Sequence, residues 1–187
     1  FIDKIHHEST LVEAFADTSE YENGDECDDS GDFANAFGSD EFYEIFGGNS
    51  GVGVSRAYWL NYNQSSVNTY GVRFGDDENY GSIQFENCTP NKIIRVIVGK
   101  YFEYDEQGNK VFDEHCAIFS EQFAENPEIE YREITEERQV FELKTDPYSN
   151  FYFDSDGSNI GFGNTRFILY GFESGEPAHD EYKEREI

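Results

Sequence analysis

The chain has 187 residues, enough to bury one core without disulfide support, and 40 acids against 13 bases give it a net charge of −27. That balance excludes nucleic acid and anionic membrane surfaces as partners, since both are bound through basic patches that displace counterions. Aromatic residues make up 17 % of the chain, with 18 Phe and 13 Tyr, too much apolar ring for a disordered polymer and a composition that suits pleated sheet.

The remaining composition bears on compartment. There is no methionine, which fits an exported protein after loss of its signal, or a piece of a longer chain. No apolar run has the length of a membrane span. The cysteines are Cys27, Cys88 and Cys116, an odd number that allows at most one internal disulfide. Cys88 and Cys116 would pair if their strands are neighbours. Cys27 lies among acids, which raise a thiol pKa.

Residues 1–32 read as an acidic N-terminal arm or loop. Apolar residues at 1, 2, 5, 11, 12 and 15 suit a short amphipathic helix or an arm that docks elsewhere. Residues 17–32 carry eight acids and no base. They form either a solvated loop or a loop folded around Ca²⁺, with Asp25, Asp28 and Asp32 as oxygen donors. The spacing is not that of an EF-hand.

Between residues 33 and 50, Ser39 is a helix cap, and Phe42, Ile45 and Phe46 recur at helical spacing before Gly47-Gly48. Val54–Asn61 reads as a first strand. Then the alternation becomes regular. Thr69–Phe74, Gly81–Glu86, Lys92–Tyr104, Val111–Phe119, Ile129–Ile134, Gln139–Lys144, Phe151–Phe153 and Asn164–Phe172 each read as strands separated by Gly, Asp, Asn and Pro turns. Lys92–Tyr104 is the longest β-branched and aromatic run, which predicts the central strand. The expected fold is all-β, an antiparallel β-sandwich or jelly roll over residues 33–172, with a short helical or irregular N-terminal region and a charged tail over 173–187.

Tyr70-Gly71-Val72-Arg73-Phe74-Gly75, Gly81-Ser82-Ile83-Gln84-Phe85, the Lys92–Tyr101 strand and the closing Arg166-Phe167-Ile168-Leu169-Tyr170-Gly171 follow one another in an order that resembles β-sandwich modules of exported bacterial proteins. Those modules look like galactose-binding-type jelly rolls. The resemblance covers residues 70–172 and implies a fold and an extracellular or cell-surface location. It implies no catalytic residue. The acidity of this chain and its Glu-rich stretch around 120–138 depart from the pattern.

No nucleophile elbow, phosphate-binding loop or zinc-protease motif is present. Asp113 and His115 alternate on a predicted strand and would share a face. Asp154, Asp156 and Ser158 alternate around Gly157, so their oxygens either converge on Ca²⁺ or make an ordinary Asp-Gly turn. Two ring groups, Tyr58, Trp59 and Tyr62, then Tyr101 and Tyr104 beside Phe102, offer either core packing or planar surfaces for a sugar. The expected function is a non-enzymatic binding or structural module, calcium-stabilised and carbohydrate-binding. The alternatives are a carboxylate-based hydrolase on the same scaffold and an acidic protein that binds a protein partner or self-assembles at the surface.

Overall fold

The computed structural model describes residues 11–47, 52–64, 67–86, 93–123, 128–144 and 150–175. Two antiparallel sheets and two short helices share one core. In the first sheet, β3 (Ala57–Gln64), β4 (Val67–Phe74), β6 (Ile93–Lys100), β11 (Gln139–Lys144) and β15 (Phe167–Gly175) lie in the order β11-β6-β15-β4-β3, and β1 (Val12–Phe15) also pairs with β15. In the second, β2 (Val52–Ser55), β5 (Ser82–Phe85), β9 (Cys116–Phe123), β10 (Glu128–Ile134) and β12 (Asn150–Asp154) lie in the order β10-β9-β12-β5-β2. Two small ribbons complete the strands: β7 (Phe102–Tyr104) with β8 (Lys110–Phe112), and β13 (Asp156–Gly157) with β14 (Gly163–Asn164).

The expected central strand is shorter than its sequence run and is not the centre. The run breaks at Tyr101, whose ring is buried at 2 % exposure, and β7 leaves the sheet to pair with β8. The hub is β15. It pairs with β6 along one side, and on the other with β4 at Phe167–Leu169 and then β1 at Gly171–Ser174. Its register against β6 shifts between Leu169 and Gly171, the signature of a bulge.

The predicted strand Val54–Asn61 divides at Arg56, whose φ of 50° turns the chain from β2 in one sheet to β3 in the other. Val111–Phe119 likewise divides into β8 and β9, so Asp113 and His115 lie in the connection between them. α2 (Ser39–Phe46) ends where expected, at a left-handed Gly47, but its cap is Gly38.

The acidic segment is built into the molecule. β1 docks on its own β15, so residues 12–15 are neither helix nor an arm reaching another molecule. Gly24 donates to the Trp59 carbonyl, Trp59 to that of Asp25, and Cys27 to that of Ala57, so residues 24–27 cover the outer edge of β3. A second helix, α1 (Ser30–Ala36), begins where the Asp29 carboxylate accepts from the Gly31 and Asp32 N–H groups at 2.7 and 3.2 Å. The expected boundary at residue 32 falls inside this helix.

Rings join the layers. Phe85 of β5 meets Phe172 of β15 at 5.7 Å, and Phe46 of α2 stacks on Phe85 at 4.2 Å while meeting Phe172 edge-on at 4.9 Å. Phe33, Phe37 and Phe42 extend the cluster through α1 and α2. The helices thus fill the core with phenylalanine, which explains why so acidic a chain needs so many.

A buried polar knot closes another part of the molecule. The Ser155 N–H donates to the Gly81 carbonyl at 3.0 Å, and the Ser155 hydroxyl accepts from the Gly81 N–H at 3.0 Å. The Thr165 hydroxyl donates to the Ser155 carbonyl at 2.7 Å and accepts from the Ala117 N–H at 3.0 Å. Three connections are therefore tied without leaving a polar group of the knot unpaired. Gly81 has no room for a side chain there, because a Cβ would collide with the Arg56 carbonyl oxygen and sit 2.5 Å from the Gly75 nitrogen.

Candidate ligand-binding face

On β5 and β12, Ile83, Phe85, Phe151 and Phe153 point into the core. Alternation then sends Ser82, Gln84, Tyr152 and Asp154 to the other side. Register extends this side across the sheet as two rows. One runs Gly53, Gln84, Tyr152, Glu121; the other runs Ser55, Ser82, Asp154, Phe119, Tyr131. Three rings therefore lie on adjacent strands. Phe119 and Tyr131 are directly opposite with centroids 4.9 Å apart, and Tyr152 stands 6.0 Å from Phe119. Tyr131 is 41 % exposed, and Phe119 and Tyr152 are half-buried.

The excursion β13, 3₁₀ turn (Ser158–Ile160) and β14 packs against β9 and β10. It leaves Ala117, on the same side as Phe119, only 1 % exposed. Farther along, Phe162 of the excursion stacks on His115 at 4.2 Å. The face is thus a ring row bounded at one end by a loop, and continued toward β2 by the small polar groups Ser82, Gln84 and Ser55.

Asp154 is the electrostatic centre of this face. It is 6 % exposed. Burial pushes its carboxyl up to about 6, the negative charges of Asp156 and Glu121 add to the rise, and the Asp156 N–H, donating at 2.9 Å, opposes it. Burial and the neighbouring Asp154 carboxylate also raise the Tyr152 hydroxyl. Neither row contains a basic side chain.

The sequence-predicted residues are distributed differently. Asp154, Asp156 and Ser158 do adjoin one another, but as successive turns: the Asp156 carboxylate accepts from the Ser158 N–H at 2.9 Å and from its hydroxyl. Asp25, Asp28 and Asp32 are exposed, and Asp32 sits in the first turn of α1. Among the described residues, no group of three or more His, Cys, Asp or Glu side chains is placed to hold a metal ion.

The two ring groups are packed. Trp59 is 4 % exposed and stacks on Tyr21 at 3.9 Å. Tyr62, Phe102 and Tyr104 form a satellite cluster under the β7–β8 ribbon, with the Tyr62 hydroxyl donating to the Phe102 carbonyl at 3.0 Å. Tyr58 and Tyr101 sandwich the Arg73 guanidinium, 4.2 and 5.4 Å from it, and Arg166 lies 4.3 Å from the Tyr101 ring. These rings carry weight in the fold but have little free face to offer.

Arg166 also answers where the nearby acids find a counter-charge. Its guanidinium donates twice to Asp113, at 2.9 and 2.8 Å, and once to Asp77 at 2.9 Å. This pairing floors a polar depression of about 230 Å³ lined also by Asp76, Glu114, His115 and Asn164. Cys116 and Cys27 are buried free thiols, so the Cys88–Cys116 bridge that the sequence allowed is not formed; Cys88 itself lies outside the described residues. Burial, more than the surrounding acids, pushes the Cys27 thiol up to about 12.

Sequence reasoning missed Phe119, Tyr131 and Tyr152. A signal existed in Asn150-Phe151-Tyr152-Phe153-Asp154: a Tyr between two core-facing Phe on a strand must face the other way. Its neighbours across the sheet could be found only from register. A scan against protein-family models gives no match to this chain, and a search of curated proteins gives none either.

Proposed function

We propose that the chain is a jelly-roll carbohydrate-binding module of an exported or surface protein, and that it binds through the ring-bearing face of the β10-β9-β12-β5-β2 sheet. The jelly-roll reading is supported by connectivity. Among β4, β5, β6, β9, β10, β11, β12 and β15, the first pairs with the last, the second with the second-last, the third with the third-last, and β9 with β10. That nesting is a single long ribbon rolled into two sheets.

The ring row of Tyr131, Phe119 and Tyr152 carries the functional reading. Apolar rings on the solvent side of a sheet gain nothing from the core, yet they offer flat surfaces to the C–H faces of pyranose rings. Carboxylates and amides beside them, Glu121, Asp154 and Gln84, can accept or share hydroxyl protons. The acidic surface keeps such a module soluble and repels acidic polysaccharides.

The test is affinity electrophoresis or calorimetry against a panel of soluble oligosaccharides, with wild type, Phe119→Ala and Tyr152→Ala. Each ring is expected to contribute about 0.5–1.5 kcal/mol of contact, so each variant binds about two- to tenfold more weakly with an unchanged circular dichroism spectrum. Equal binding by the folded variants would remove this face from the reading.

A further inference from the structure

Resting on the carbohydrate reading above, we infer that this face takes the interior of a soluble, extended β-linked polysaccharide, which lies across the strands from β10 to β2 with Gly53 keeping the far end of its path clear. Along the strands the way is stopped on one side, where the excursion packs on β9 and β10 and leaves Ala117 1 % exposed. Across the strands it is open. Among the described residues no strand lies beyond β10 or beyond β2. From the rings the floor continues through Ser82 and Gln84 to Ser55 and Gly53, and Gln84, Ser55 and Gly53 are exposed. The five strands span about 19 Å, at about 4.8 Å per spacing. Ring centroids 4.9 and 6.0 Å apart are close to the advance per sugar of an extended β-linked pyranose chain, so successive rings meet successive sugars.

The rings are not coplanar. Phe119 is tilted 42° from Tyr131 and 68° from Tyr152. No flat surface touches all three, which excludes the face of a crystalline polymer. A single chain in solution follows them by turning at each glycosidic bond. Gly53 points the same way. Glycine weakens a strand interior, and it stands there for a bulge, for close approach of backbone, or for close approach of a ligand. β2 pairs with β5 without a register shift, Gly53 has no positive φ, and a Cβ on it would have nothing within 4 Å. Gly71, Gly99 and Gly171 differ, because a Cβ on each would strike a backbone carbonyl oxygen. The fold thus gives Gly53 no reason of its own, and a chain running off the ring row toward β2 does.

Calorimetry with cello- and xylo-oligosaccharides of two to six sugars tests this, beside a pull-down on microcrystalline cellulose. In the series that binds, affinity should rise about tenfold from dimer to tetramer as further rings are engaged. Microcrystalline cellulose should retain no protein. Gly53→Ile suits a strand and meets no neighbour, so it should keep the wild-type Tm while weakening the hexamer about fivefold, toward the affinity of the dimer. Equal affinity for dimer and hexamer would mean that a chain end is recognised, overturning the inference and leaving the carbohydrate reading intact. Wild-type affinity of folded Gly53→Ile for the hexamer would remove β2 from the path, and retention on crystalline cellulose would refute the turning chain; either result overturns the inference. No binding in either series, with a hit among other glycans of the panel above, overturns the inference alone. No hit anywhere in the panel removes the carbohydrate reading with it.

Discussion

Replacing Asp154 by Asn should stabilise the protein at neutral pH and do nothing at acid pH. The Asn oxygen can still accept from the Asp156 N–H, so the change removes a charge and keeps the turn. In the unfolded chain the carboxyl titrates near 3.8; in the folded protein burial raises it to about 6. Between those values the folded state binds more protons than the unfolded state, so its stability falls as pH rises through the window. The cost is absent below the lower value and complete above the upper one. Two pKa units correspond to about 3 kcal/mol, an upper bound, since relaxation of the site reduces it. For a domain of this size that is a rise in Tm of about 6–12 °C at pH 8. Urea denaturation of both proteins at a series of pH values from 4 to 8 measures the difference directly. The mutual repulsion of the other acids enters both proteins alike and cancels. A stability difference that does not change with pH, or an Asn variant that is weaker at pH 8, would refute the burial argument.

Thr165→Val removes the hydroxyl that serves both Ser155 and Ala117, and should cost about 1–3 kcal/mol in urea denaturation, while Thr165→Ser retains most of the stability. Gly81→Ala should be far more damaging, because its Cβ would collide with backbone rather than with a movable side chain; a soluble variant with wild-type Tm would contradict the packing described. Arg166→Met should leave Asp113 partly buried without its two donors and lower stability by about 1–3 kcal/mol, with Asp113→Asn recovering part of the loss in a double-mutant cycle. Cys27 and Cys116, with thiols raised to about 12 and about 11 by burial, should resist iodoacetamide at pH 8 until the protein is unfolded; labelling at equal rates with and without urea would show them to be accessible.

Strand content was legible in the sequence because alternation is a local signal. Gln139–Lys144 is predicted and observed at the same residues, and β4, β5, β10 and β12 shift by two residues or fewer at each end. What failed was continuity. Lys92–Tyr104 and Val54–Asn61 each hold two strands, since hydrophobic alternation does not report a turn made by Tyr101 or by Arg56 at positive φ. The acidic segment misled for another reason. Its acids face solvent, but its backbone covers β3 and its Asp29 starts a helix, and neither role requires apolar residues. The candidate face was illegible because it is made by register. Tyr131, Phe119 and Tyr152 are 12 to 33 residues apart along the chain, and only strand pairing makes them neighbours.

The position of β15 governs how the chain can fold as it is synthesised. β4 can find β3 early, and β6 can find β11 once residue 144 has emerged, but the two ribbons have no shared border until Phe167–Gly175 enters between them. β1, made before either ribbon, waits for the same strand. Such distant closure is slow, and the exposed edges it leaves invite association between nascent chains. The strong negative charge opposes that association during the wait. A chain halted short of residue 167 would therefore hold local ribbons but no first sheet, and it would remain threadable until β15 has been made.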